Sequence, residues 1–148
     1  MYFWRIEKLK TEMATRPLSE REVLPYLVLF VILYTAASSF PATDFNIWDG
    51  AIAAGSILLA VVGTIYIYRQ NGGAKGEHFL QRYFALGWVV TVRFFVILVI
   101  AAIILGALGI LAEKTSAFEF LFVALAQAVF YWRIGHHVGD LARRKPVV

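Results

Sequence analysis

Cysteine is absent from the 148-residue chain. That excludes disulfides, iron–sulfur ligation and thiolate chemistry, and leaves the redox compartment open. Charge is scarce too: 16% of the residues are Asp, Glu, Lys or Arg, against about 25% in a soluble domain. No stretch alternates polar and apolar residues over the ~10 positions of an outer-membrane strand. The chain also lacks paired carboxylates, a Ser–His–Asp order and the phosphate-binding pattern G-x-x-x-x-G-K-[ST], since Lys75 is followed by Gly76. These absences remove most enzyme classes. An enzymatic activity is not expected.

What is present is apolar. Hydrophobic residues make up 60% of the chain, and mean hydropathy is +0.70. A soluble core of this size cannot hold that excess. A membrane-spanning helix needs roughly 20 mostly apolar residues, and four runs qualify: about 24–40, 49–68, 94–112 and 117–138. The expected fold is therefore an all-α integral membrane protein, a four-helix transmembrane bundle in one domain. Ser19 and Glu22 form a capping box before the first run. Pro25 predicts a kink or late start there, and Pro41 ends the run. Asp49 is placed to cap the second. The first apolar run begins only after 23 residues, in a leader that contains Glu7, Glu12, Glu20 and Glu22. That composition argues against a cleaved signal peptide.

Orientation is read from Lys and Arg. Residues 1–23, residues 69–93 and the C-terminus from Arg133 hold 13 of the 14 basic residues, and Lys114 is the other. Both termini and the middle loop are thus expected in the cytoplasm of a bacterial-type inner membrane. The excess of base, net +4, is assigned to anionic headgroups on the cytoplasmic face rather than to nucleic acid.

Residues 1–16 place Tyr2, Ile6, Leu9 and Met13 at helical spacing, with charges elsewhere and an i,i+4 pair Glu12–Arg16. This predicts an N-terminal amphipathic in-plane helix anchored in the inner leaflet, with a partner-docking helix as the alternative. Residues 70–93 are expected to form a cytoplasmic loop and an interfacial helix that bends near Gly87. Lys75, Arg82 and Arg93 are its candidate phosphate contacts.

The fourth run carries the main candidate site. At about 100° per residue, Arg133, His136, His137, Asp140 and Arg144 share one sector. Snorkelling at the end of a span explains such a stripe most simply. A path for protons or ions is the first functional alternative. A haem or metal site using His78, His136 and His137 is the second, a weak one, since no H-x-x-x-H pair occurs and adjacent histidines diverge. Accordingly no metal or cofactor is expected. Gln127 is the strongly polar residue near mid-span. Gly135 with Gly139, and Ala53, Ser56, Ala60 and Gly63, are small residues at spacings that allow close helix approach, within the bundle, in a homo-oligomer or in a larger membrane complex. The expected function is that of a small structural, accessory or assembly protein. A homo-oligomeric channel or small transporter using Gln127 and the fourth-run stripe is the alternative.

Overall fold

The computed structural model describes residues 4–38, 45–109 and 114–144, without the side chains of 35–38. Tyr2, Pro41, Glu113 and Lys145 lie outside the described residues, as do the ends of the first and third expected runs. The described chain is helical: α1 (Ile6–Thr15), α2 (Glu20–Ser38), α3 (Ile47–Gln70), a 3-10 turn (Gly73–Lys75), α4 (Phe79–Ala107) and α5 (Ala117–Arg143). Among the described residues, α3, α4 and α5 are long and apolar enough to cross a membrane.

Local chemistry explains where these helices begin. The Ser19 amide donates to Glu22 at 2.9 Å, closing the box before α2. Asn46, rather than Asp49, is the N-cap of α3. Its side chain accepts from Trp48 and Asp49, while Asp49 accepts from the Asn46 amide. The helix therefore starts two residues earlier than expected. Ser116 and Glu119 repeat the device at α5. At α2 the Glu22 carboxylate accepts from both the Ser19 amide and its hydroxyl. At each of the three starts such contacts satisfy backbone N–H groups that would otherwise be left bare. Helix α2 runs through Pro25 without interruption.

Packing fixes the directions. The pairs Ser56–Gln127, Gly63–Tyr131 and Tyr66–Gly135 advance together, so α3 and α5 are parallel. The pairs Phe94–Phe130 and Gly87–Ile134 make α4 antiparallel to α5. Helix α2 runs parallel to α4, with the Phe30 ring centroid 5.9 Å from those of both Phe84 and Trp88. The fully buried residues gather at one end of the bundle, around Ala85–Val90 of α4 and Ile134, Val138 and Leu141 of α5. At the other end the α4 face from Phe95 to Ile104 is largely exposed.

Residues 70–93 divide between the 3-10 turn and the first half of α4. His78 is the N-cap of α4. The expected bend near Gly87 is corrected, since α4 is continuous there. A Cβ at Gly87 would stand 3.4 Å from Phe30 and 3.8 Å from Ile134, so α2 and α5 both pack closely against α4 at that point.

Candidate functional site

Helix α1 is where the candidate site acquires its geometry. Its stripe Ile6, Leu9 and Met13 is buried in the same apolar cluster as α4 and α5. The residues expected to enter the inner leaflet therefore pack against the chain itself. Burying a side chain such as Leu9 or Met13 away from water stabilises by about 1.5–3 kcal/mol. Lys10 lies on the same face and is only 3% exposed. A buried ammonium needs an acid partner, and it has two. Lys10 Nζ donates to Asp140 Oδ2 at 2.7 Å and to Glu7 Oε1 at 3.0 Å.

Arg144 closes the cluster. It donates to Glu7 at 2.9 Å and to Asp140 at 3.1 Å, the latter being the i,i+4 pair of the expected stripe. Two bases and two acids thus alternate between α1 and the end of α5. The Arg144 guanidinium, and then Lys10, hold the Glu7 carboxyl below its ordinary value of 4.5. Arg16 ties α1 to α2 by donating to Glu12 at 2.8 Å and to Glu22 at 2.7 Å. That contact holds Glu22 well below the usual carboxylate range.

The stripe itself is divided. Arg133 and His136 are exposed, Asp140 and Arg144 are half-buried, and His137 is 7% exposed. Among the described residues, His137 Nδ1 has no hydrogen-bond partner. The His136 and His137 ring centroids are 5.8 Å apart at 64°, and His136 lies against Trp132. The third histidine, His78, lines a cleft between α2 and α4. No group of three His, Asp or Glu side chains suited to a metal ion occurs among the described residues.

The expected phosphate contacts separate as well. Lys75 is exposed on the 3-10 turn. Arg82 donates to Asn71 Oδ1 at 2.8 Å, and Asn71 in turn donates to the Glu77 carbonyl, which fixes the loop between α3 and α4. Arg93 is half-buried in the middle of α4. It donates to the Trp4 carbonyl and lies 5.5 Å from the centre of the Trp4 ring, a cation–π distance.

The small residues meet at one interface. A Cβ on Gly63 would overlap the Tyr131 ring, and one on Gly135 would overlap Tyr66. At Gly139 it would stand 2.9 Å from the end of the Gln70 side chain. Ser56 accepts a 2.6 Å hydrogen bond from Gln127. Ala60 is half-buried, but Ala53 is exposed. Gly55, which was not anticipated, stands in its place with its Cβ position 3.3 Å from Phe120. The parallel run of α3 along α5 turns Ala53 off the shared face.

At the opposite end, Asp49 accepts from Thr115 Oγ1 at 2.6 Å and Asn46 donates to the Thr115 carbonyl at 2.9 Å. The caps of α3 thereby clasp the segment leading into α5. Between α4 and α5 lies an apolar groove of about 450 Å³, lined by Phe94, Phe95, Phe122 and Phe130 with Gln127 at its edge.

Among the described residues the regular structure is helical, and three helices have the length and composition to cross a membrane, as in a membrane bundle. Set against family models, curated proteins and solved structures, the chain matches none.

Proposed function

We propose that this chain is a small multi-pass membrane protein of structural, accessory or assembly type, working without catalysis of its own. The observation that carries the reading is the use of its polar side chains. Lys10, Asp140, Glu7 and Arg144 join α1 to α5, Gln127 joins α5 to α3, and Arg82 and Arg93 hold the loop and the N-terminal segment. Groups that hold helices together are poorly placed to relay ions or protons. The exposed faces of α4 and α5 away from the ionic cluster offer packing surface to a second copy or to a partner within a larger membrane complex. Haem or metal binding through the histidines receives less support, because their rings do not converge.

The finer reading has four spans, with α2 and the residues after it completing the first, in a bacterial-type inner membrane with both termini cytoplasmic. The distribution of Lys and Arg supports it, as does the enrichment of Trp and Tyr towards the basic end. Anionic headgroups are the lipid partners of that end.

Two measurements test the proposal. Reporters fused after Val148 and inserted after Gly73 should both report cytoplasm, and one inserted after Thr43 the other side. An exported Gly73 reporter ends the orientation argument. The purified protein in detergent should show no haem absorbance and no ion flux after reconstitution. Flux that vanishes in Gln127→Leu would promote the channel instead.

A further inference from the structure

Helix α4 changes its surroundings abruptly. The six consecutive residues Ala85–Val90 are all buried. Six residues carry a helix through about one and two-thirds turns, so neighbours close on α4 from every side there. Ile6 and Leu9 of α1, Tyr26 of α2 and Ile134 of α5 belong to the same buried cluster. The run Phe95–Ile100, equally long, is exposed throughout. A helix that is apolar on every side belongs in a core or in a bilayer. The first run receives its core from the chain; the second has none and needs lipid. Residues 91–94 separate the two runs, and Arg93 is among them.

The side chains at that level are those of a membrane surface. Arg93 donates to the Trp4 carbonyl and lies over the Trp4 ring, and Trp4 is exposed. Phe130 packs on Phe94, which brings the exposed Trp132 and Arg133 within about one turn of the same level. Tryptophan rings gather at headgroup depth, and long basic side chains reach for it. Arg93 also lacks a counter-charge: none of the ion pairs among the described residues includes it. A half-buried guanidinium in that state needs an anion from outside, and its planar fork matches a phosphate.

Helix α1 marks the water side of this level. Its exposed residues, Glu7, Lys8, Thr11 and Thr15, are all polar, and hydrocarbon would strip them of water. Leu24, Leu27 and Leu80 remain exposed at this end, but as a patch beside the α2–α4 cleft rather than round a whole helix. In the other direction, Gly63 of α3 meets Tyr131, next to Phe130. From Gly63 back to Ile47 the helix covers about 25 Å. The exposed Phe45 beyond it brings the apolar surface close to the ~30 Å of a hydrocarbon core.

We propose that the headgroup plane at the basic end crosses the bundle at Arg93 and Trp4. Arg93 takes the phosphate of a phospholipid there, and α1 with the buried end of the bundle stands in water beyond it. The inference rests on the membrane reading above.

Because the chain has no cysteine, spin labels can be placed one at a time. Thr11→Cys, Leu80→Cys, Phe95→Cys and Ile100→Cys are labelled in the full chain, in vesicles of phosphatidylcholine and phosphatidylglycerol. A water-soluble nickel chelate on both sides should reach the labels at 11 and 80, whereas those at 95 and 100 should respond to oxygen alone. A label at 11 sealed from the chelate, or one at 95 open to it, overturns the placement. A label at 100 open to the chelate refutes the membrane reading itself, so the two failures are distinct.

The phosphate is tested by native mass spectrometry from maltoside micelles. The probes are phosphatidylglycerol, diacylglycerol and water-soluble glycerol phosphate. Phosphatidylglycerol adducts should exceed those of diacylglycerol about tenfold, the scale of one hydrogen bond to a charged group, and glycerol phosphate should give none. Arg93→Gln should lower the phosphatidylglycerol adduct by a similar factor. Lys75→Gln, on the 3-10 turn outside this layer, should leave it unchanged. Equal adducts with diacylglycerol, an unaffected Arg93→Gln, or glycerol phosphate binding as well as the lipid would each overturn the assignment. If Arg93→Gln loses its helical circular dichroism, the label profile and the three probes on the unaltered chain decide the matter.

Discussion

Gly63 of α3 faces the ring of Tyr131 on α5, and Gly135 of α5 faces the ring of Tyr66 on α3. Each tyrosine covers the glycine of the opposite helix, so the two parallel helices interlock about one turn apart. In a membrane, where lipid removes the hydrophobic drive between helices, close packing of this kind is a main source of association. Gly135→Ala and Gly63→Ala should each destabilise the bundle by about 1–3 kcal/mol through overpacking. Gly139→Ala should cost less, because its Cβ meets the movable end of Gln70. Gly50→Ala, with its nearest neighbour at 3.8 Å, serves as the control. Thermal unfolding in detergent ranks the four. Equal losses at Gly135 and Gly50 would contradict the interlock.

Removing one partner of the Lys10–Asp140 pair should cost more than replacing both. Asp140→Ala leaves a buried ammonium with one exposed acid. It should cost about 2 kcal/mol, below the range for fully buried pairs because the Asp140 side chain is 40% exposed. Lys10→Met together with Asp140→Asn should recover most of that loss, since a Met fills the same volume without charge. A double variant weaker than Asp140→Ala alone would show that the pair contributes net stability.

Docking of α1 should depend on pH. Glu7 has its folded-state value below the ordinary 4.5, by virtue of Arg144 and Lys10. A carboxyl depressed on folding contributes stability above its unfolded value and loses it as pH falls through the folded value. The contribution of Glu7 should therefore be full well above pH 4.5 and be lost as pH falls through and below it. Glu22, held low by Arg16, acts in the same direction. Arg144→Gln should lower the plateau and make the acid decline shallower. An unchanged slope in a pH series of melting temperatures would mean that Glu7 is not linked to folding.

Gln127 and Ser56 form a hydrogen bond between spans. Such bonds contribute about 0.6 kcal/mol on average and at most about 1.7 kcal/mol. Ser56→Ala should cost an amount in that range. Gln127→Leu with Ser56→Ala should be nearly neutral, as both polar atoms leave together. A double-mutant cycle with no coupling energy would remove this contact from the account.

The residues differ in how readable they were. The capping box of Ser19 and Glu22 is local, so sequence was enough to find it. Asn46 was missed in favour of Asp49, although Asn with an acid three residues later is the same signature. Lys10 is not marked by periodicity alone, which singles out the charges off the apolar face. Its position between Leu9 and Met13 was the available signal: a base on a buried stripe requires an acid across the interface, and sequence alone did not say that Asp140 supplies it. Ala53 was misplaced because small residues at helical spacing mark a face without saying which part of it meets a neighbour.

By itself, the sequence determined the apolar helical character of the chain, because length and hydropathy decide which segments can cross a membrane without tertiary help. It also determined the local caps and the i,i+4 pair of Glu12 with Arg16, which depend on a few neighbouring residues. Only the tertiary structure decided that α1 packs on α4 and α5, that α3 lies parallel to α5 with glycine against tyrosine, and that the stripe on α5 is divided into exposed and buried members. The physical reason is that these outcomes depend on contacts between residues more than 60 positions apart, Lys10 with Asp140 and Gly63 with Tyr131. No periodicity within a single helix encodes them.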